Sequence, residues 1–121
     1  MRFSVALDQE SIVNREGMYK PNGHYVWVQG NIEETVFDDD MRLCQLLDDD
    51  HFFDETYAIG GFVWDWGDVD YVPPDLAVPL AGWLEDRLKR DLPSELKHVY
   101  GVMLDYARKT IELDTCMHCE F

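Results

Sequence analysis

The side chains that could do chemistry are concentrated between residues 31 and 75. This stretch contains fourteen Asp and Glu residues and a single basic residue, Arg42. The rest of the chain is close to balanced, so almost all of the formal net charge of −15 belongs to this middle third. Carboxylates grouped in this way can pair with the basic groups of a partner, hold a metal ion, or act as acids and bases.

The charge density favours a surface that binds a basic partner. A helix predicted over residues 38–50 carries two Asp triplets along about 18 Å, at ~1.5 Å per residue. Its six carboxylates are spaced roughly 3 Å apart, compared with one charge per ~1.7 Å in duplex DNA. The predicted partner-binding residues are Asp38, Asp39, Asp40, Asp48, Asp49, Asp50, Asp54, Glu55, Asp65, Trp66, Asp68 and Asp70.

The second Asp triplet is the less expected of the two. Acids in a first turn cap free N–H groups and complement the helix dipole, whereas acids at the last turn oppose it. A sequence chosen for stability alone would place Lys or Arg at residues 48–50. We therefore expect that changing Asp48, Asp49 and Asp50 together to Asn weakens partner binding and leaves folding intact. The alternative is that the acidic stretch is only a solvated face.

Aromatic residues are interleaved with the acids near residue 65. Trp64 is expected in the core, whereas Trp66 and Tyr71 are expected to be exposed anchors, because Trp and Tyr are favoured in interface hot spots. Such anchors would flank the acidic surface and exclude water from it. The sequence thus predicts a binding surface that combines charge with aromatic contacts.

In composition and size the chain resembles small inhibitors from phages and mobile elements, such as DNA-mimic antirestriction and anti-CRISPR proteins. It also resembles acidic immunity proteins that neutralise nuclease toxins. The resemblance implies a non-enzymatic inhibitor whose partner is a basic, nucleic-acid-binding protein, either a defence nuclease or a nuclease toxin. It implies no particular site residues, because these proteins share no common fold.

Other chemistries have weaker support. The spacing of Asp65, Asp68 and Asp70 could supply oxygen ligands to Ca²⁺ or Mg²⁺, although it lacks the glycine and terminal Glu of an EF-hand loop. Asp8 and Glu10 have the D-x-E form found in two-metal nucleases. No nucleophile motif, phosphate-binding loop or dinucleotide fingerprint is present. We expect no cofactor, no direct nucleic-acid binding and no enzymatic activity, with a small metal-dependent enzyme as the alternative.

The three cysteines give one further alternative, a zinc-binding or redox site. Cys116 and Cys119 form a C-x-x-C pair with His118 between them, but a closed zinc site needs four ligands. The pair also follows a helix, whereas redox C-x-x-C motifs begin one. We expect reduced thiols on a short tail, with Cys44 as a small core residue.

Bulk properties predict one folded cytoplasmic domain. Of the 121 residues, 46% are hydrophobic and 13% aromatic, which is far richer than a disordered acidic chain. No apolar run is long enough for a membrane span, and the first residues do not read as a signal peptide. The predicted domain covers residues 1–115, followed by a short C-terminal tail over residues 116–121.

The predicted fold class is α+β: a small antiparallel sheet of about four strands, with about three helices packed on one face. Strands are indicated by alternating apolar residues and helices by apolar residues at helical spacing. Loops are placed at glycine, proline and Asp clusters. The predicted elements are a strand over 2–8, a short helical turn near 9–16, a hairpin of 24–29 and 32–37 around Gly30-Asn31, a helix over 38–50, a strand over 57–64, a loop over 65–74, a helix from 75–79 to about 91, and a helix from Ser94, its candidate N-cap, to about 113.

Overall fold

The computed structural model describes residues 1–13, 27–64, 66–67 and 69–121. The described residues form an α+β fold, as predicted, with four α-helices rather than three. The strands are β1 (Arg2–Ala6), β2 (Ile12–Val13), β3 (Trp27–Val28), β4 (Ile32–Val36), β5 (Val69–Val72) and β6 (Met117–Glu120). The α-helices are α1 (Asp40–Asp49), α2 (Phe52–Gly60), α3 (Pro74–Leu88) and α4 (Ser94–Leu113), and a 3-10 turn covers Gln9–Ser11.

The main sheet has the strand order β4-β1-β6-β5, and every neighbouring pair is antiparallel. Strand β1 lies inside the sheet and is buried on both faces. Phe3 and Val5 pack towards the helices, while Ala6 packs on the other side against Ile12 and Cys116. The alternation expected for β1 is present, and Ala6 on its second face packs in a small cluster with Ile12 of β2 and Val28 of β3.

The prediction of a C-terminal tail over residues 116–121 is wrong. These residues supply β6, which pairs with β1 on one side and β5 on the other. Met117 and Cys119 are fully buried, and Phe121 packs against Phe3 at 5.6 Å between ring centroids. A four-residue strand that pairs with β1 across more than a hundred residues leaves no local periodic signal, so the sequence predicts a tail there.

The predicted hairpin around Gly30-Asn31 is also wrong. Within the described residues, β3 pairs with β2, and β4 pairs with β1. Gly30 has a φ of 101°, a conformation that suits glycine, and the chain there passes from one sheet to the other. The N–H of Asn31 donates to Ser11 Oγ at 3.0 Å, and its carbonyl accepts from the N–H of Leu7 at 2.9 Å. Residues 24–26 of the predicted hairpin lie outside the described residues.

Helix α2 covers the first half of the strand predicted over residues 57–64, and residues 61–64 are neither helix nor strand. Phe52 and Thr56 are buried at helical spacing, and the helix ends at Gly61, whose φ is 68° and whose N–H bonds to the carbonyl of Tyr57 at 2.8 Å. This is a left-handed C-terminal cap of the kind that glycine favours. The glycine pair therefore ends a helix instead of interrupting a strand. The loop predicted over residues 65–74 contains strand β5.

The three helices predicted from apolar spacing are confirmed, with changes at their ends. Helix α3 begins at Pro74, so Pro79 lies in its interior and not in its first turn. Pro93 occupies the cap position of α4, which makes Ser94 the first helical residue and not the N-cap. None of the helices in the described part of the chain combines the length and apolar composition needed to cross a bilayer.

Candidate partner-binding surface

The first Asp triplet lies where β4 leads into α1. Asp38, Asp39 and Asp40 are exposed, and Asp39 adopts a left-handed conformation with φ 60°. Its side chain makes no capping hydrogen bond, so the capping role expected for this triplet is not seen. The Asp40 carboxylate contacts the amino group of Met1. The triplet lines a shallow groove of about 590 Å³ and directs its remaining charge to solvent.

The second triplet divides between surface and interior. Asp48 and Asp49 are exposed, and Asp49 accepts a hydrogen bond from Gln45 within the helix at 2.9 Å. Asp50 turns inward: its Oδ2 accepts from the hydroxyl of Tyr100 at 2.7 Å and lies 3.4 Å from Nε of Arg87. The negative charge at the end of α1 therefore has a structural explanation at Asp50, but none at Asp48 or Asp49.

Arg87 also forms an ion pair with an acid on α2. Its guanidinium forms an ion pair with Glu55 and lies 4.6 Å from the ring centre of Trp83, and its side chain is only 4% exposed. Glu55 also accepts a hydrogen bond from Trp83 Nε1 at 3.2 Å. Partial burial opposes ionisation of Glu55, but the hydrogen bonds from Trp83 and Arg87 outweigh it and lower its pKa. Burial, followed by the hydrogen bond to Asp50, raises the pKa of Tyr100.

Three further predicted residues do not form part of the described surface. Asp70 lies on β5 with only 3% of its area exposed, so a partner cannot contact it directly. Asp65 and Asp68 lie outside the described residues. The predicted metal site at these three acids is therefore not described, and among the described residues no group of three or more His, Cys, Asp and Glu side chains is arranged to hold a metal ion.

The aromatic residues near this surface differ in how much of their side chains is exposed. Trp64 is buried, as predicted, and donates from Nε1 to Thr56 Oγ1 at 2.9 Å. Trp66 is 62% exposed, as predicted for an anchor. Tyr71 is half-buried and lies against His118 at 6.2 Å between ring centroids, so it is not the exposed anchor expected.

Tyr57 is an exposed aromatic residue that the sequence reasoning missed. It is 61% exposed on α2, four residues after Phe53. The strand predicted over this segment did not indicate that Phe53 and Tyr57 are neighbours, because residues four apart adjoin each other on a helix surface and not along a strand. The sequence signal that could have found Tyr57 is the four-residue spacing of Phe52 and Thr56, which the structure shows to be the buried face of α2.

Apart from Asp40, which contacts the amino group of Met1, the exposed acids of α1 and α2 form no ion pair among the described residues. The described bases pair mainly with acids elsewhere: Arg42 with Glu95, Arg108 with Glu85, Lys109 with Glu33 and Asp105, Lys89 with Asp86, and Arg2 with Glu34 and Glu120. In the described part of the chain, Asp48 and Asp54 form no ion pair. The negative charges of Asp48 and Asp54 are therefore not neutralised by any ion pair within the described residues.

Among the described residues, the side chains named for the alternative sites have structural surroundings. Asp8 accepts hydrogen bonds from the N–H and hydroxyl of Ser11, at 2.9 and 2.6 Å, and caps the 3-10 turn. Cys116 belongs to the small cluster beneath β2 and β3, whereas Cys119 belongs to the main core, so the two thiols do not converge on one ion. Burial, with a smaller contribution from the Asp70 carboxylate, raises the pKa of Cys119 and keeps it an unreactive thiol. Cys44 is buried in the main core, as predicted.

Comparisons with protein-family models, curated proteins and solved structures found no match. The geometry and charge of the surface therefore carry the functional argument. Seven of the twelve predicted residues are exposed there: Asp38, Asp39, Asp40, Asp48, Asp49, Asp54 and Trp66. We call these seven residues, together with Tyr57, the acidic–aromatic surface.

Proposed function

We propose that this protein is a non-enzymatic acidic binding protein that docks on a basic, nucleic-acid-binding surface of a partner protein. Its acidic–aromatic surface would occupy the place of nucleic acid and inhibit the partner by competition. The partner would be a nucleic-acid-handling enzyme, such as a defence nuclease or a nuclease toxin. Charge complementarity of this kind raises association rates and makes binding weaken with salt.

The uncompensated acids on α1 and α2 are the observation that carries this proposal. A protein that needed acids only for solubility would intersperse them with bases. Here most described bases pair with acids outside the acidic–aromatic surface, which leaves Asp48 and Asp54 unpaired within the described residues. A basic partner would satisfy those carboxylates, whereas nucleic acid and anionic membranes would be repelled by them.

A capture experiment with native host lysate tests the proposal. Tagged protein is immobilised, bound proteins are eluted with rising salt, and added DNA or RNA is tested for its ability to displace them. We expect capture of a nucleic-acid-handling enzyme that both salt and nucleic acid release. Salt-sensitive capture that nucleic acid does not disturb would contradict competition, and no capture at low salt would contradict a binding role.

Two charge-matched variants show whether the surface itself binds. The test variant carries Asp48→Asn, Asp49→Asn and Asp54→Asn, all at exposed positions. The control carries Asp91→Asn, Glu112→Gln and Asp114→Asn, which remove the same charge elsewhere. We expect the test variant to lose capture and the control to retain it. Asp50 is left unchanged because its bonds to Tyr100 and Arg87 make the triple change suggested by sequence alone a folding variant.

A further inference from the structure

We propose that Trp66, Tyr57 and Asp54 form a seat for an arginine side chain of the basic partner. This inference rests on the proposed function, which it extends by naming the group that is recognised and where it binds. The seat lies on the outer face of α2 and on the turn that precedes β5.

Trp66 is exposed and yet held in place. The ring of Phe53 packs against it at 5.5 Å between centroids, and Phe53 itself packs on Phe121 at 5.7 Å. The turn is fixed on its other side by a hydrogen bond from the N–H of Gly67 to the carbonyl of Phe121 at 3.1 Å. An indole that is already ordered loses little conformational entropy when a partner covers it, which favours its use as an anchor.

Helix geometry brings the other two residues of the seat together. Tyr57 follows Phe53 by four positions and Asp54 by three, so its side chain adjoins both on the helix surface. Phe53 therefore contacts the ring of Trp66 directly and is a neighbour of Tyr57 on the helix surface. The proposed seat therefore consists of two exposed aromatic side chains that both adjoin Phe53, and of the exposed carboxylate that adjoins Tyr57.

Arginine is the side chain that matches this combination. Its planar guanidinium stacks on aromatic rings while it donates paired hydrogen bonds to a carboxylate, and a lysine ammonium is less suited to both. The interior of the protein contains the same arrangement, because Arg87 lies over Trp83 while it pairs with Glu55. The seat has the aromatic and acidic parts of that arrangement without the arginine.

The net charge of the chain argues against another copy of the protein as the occupant. A second copy would bring a further formal charge of −15 to a surface that is already acidic. Like charges placed together across an interface disfavour association. Charge complementarity therefore points to a basic protein segment.

Equal-length homopeptides of arginine and lysine, measured by titration calorimetry, test the seat. The two probes carry the same charge, so they separate guanidinium recognition from general attraction. We expect the unmodified protein to bind the arginine peptide about two- to fivefold more tightly than the lysine peptide, the range of an exposed cation–π contact. Trp66→Ala and Tyr57→Ala should each reduce this preference, with lysine-peptide binding unchanged.

Val78→Ala, which truncates an exposed apolar residue on α3, is the control and should change neither affinity. Trp66→Phe keeps an aromatic face and should retain part of the preference, which separates recognition from any loss of folding in Trp66→Ala. Equal binding of both peptides, or a preference that survives in Trp66→Ala and Tyr57→Ala, would overturn the seat and leave the acidic binding role standing. Failure of both peptides to bind at low salt would overturn the binding role as well.

Discussion

Arg87 lies on α3 between two acids that the sequence presents as surface charge. Its guanidinium holds Asp50 at the end of α1 and Glu55 on α2, while Tyr100 on α4 bonds to the same Asp50. This cluster of Arg87, Asp50, Glu55 and Tyr100 therefore joins the four described helices. The two acids serve the fold, and only their exposed neighbours remain for a partner.

Arg87→Ala is expected to destabilise the protein strongly. The substitution leaves two carboxylates without their cation, so the free energy of unfolding should fall by about 2–3 kcal/mol. This loss is smaller than that expected for breaking a fully buried ion pair, because both acids are partly exposed. Arg108→Ala is the matched control, since Arg108 pairs with Glu85 at the surface. Its effect should stay within about 0.5 kcal/mol in urea unfolding. Equal losses in the two variants would contradict a structural role for Arg87.

Glu55 should contribute to the decrease in the free energy of unfolding at acid pH. Its pKa is lowered in the folded protein from the ordinary value of 4.5, so its stabilising effect is present above that pH and is lost as the pH falls through the folded-state pKa. The parent protein should therefore lose more stability below pH 4.5 than Glu55→Gln does. Because Glu55 is 42% exposed, the difference should remain under about 1 kcal/mol. Glu112→Gln, on the exposed face of α4, should follow the parent profile.

Strand β6 decides the topology of the sheet, although it is one of the shortest elements. It joins β5 to β1 and places Met117, Cys119 and Phe121 against the helices. Helices α1, α3 and α4 were predictable because apolar residues at helical spacing mark them locally, whereas most of α2 was not predicted and part of it falls where a strand was predicted. Strands β5 and β6 were not predicted, and β3 lies in a predicted strand but pairs with β2 instead of the expected partner, since contacts between distant segments decide such pairings.

Met117→Ala is expected to test the buried position of β6. Met117 has no exposed area, so truncation should lower the free energy of unfolding by about 2–4 kcal/mol, from lost burial and the cavity left behind. Met41→Ala is the same chemical change at a residue that is 86% exposed, and it should have an effect within about 0.5 kcal/mol. If Met117→Ala proved as mild as Met41→Ala in urea unfolding, β6 would not be part of the core.

The charge of the whole molecule shapes both its stability and its choice of partner. A formal charge of −15 on 121 residues repels itself in the compact state, and the repulsion is concentrated on the side of α1 and α2. The ion pairs around the rest of the surface offset only part of it. A cation-bearing partner would relieve that repulsion on binding.

Added salt is therefore expected to stabilise the free protein. The screening length falls from about 10 Å at 0.1 M to about 3 Å at 1 M, so the free energy of unfolding should rise on the order of 1 kcal/mol over this range. The variant with Asp48, Asp49 and Asp54 changed to Asn should start more stable at low salt and gain less. The control with Asp91, Glu112 and Asp114 changed should keep more of the gain. Destabilisation by salt would show that the ion pairs outweigh the repulsion.

Sequence alone determined the α+β class, the three long helices and the concentration of negative charge, because composition and helical spacing are local properties. Tertiary structure decided which acids face solvent, since Asp50, Glu55 and Asp70 differ from Asp48 and Asp54 only in what packs beside them. It also brought Trp66 against Phe53 of α2, and placed residues 117–120 inside the sheet. These features depend on contacts between distant segments, which form only when the helices and the sheet bury their apolar faces against each other.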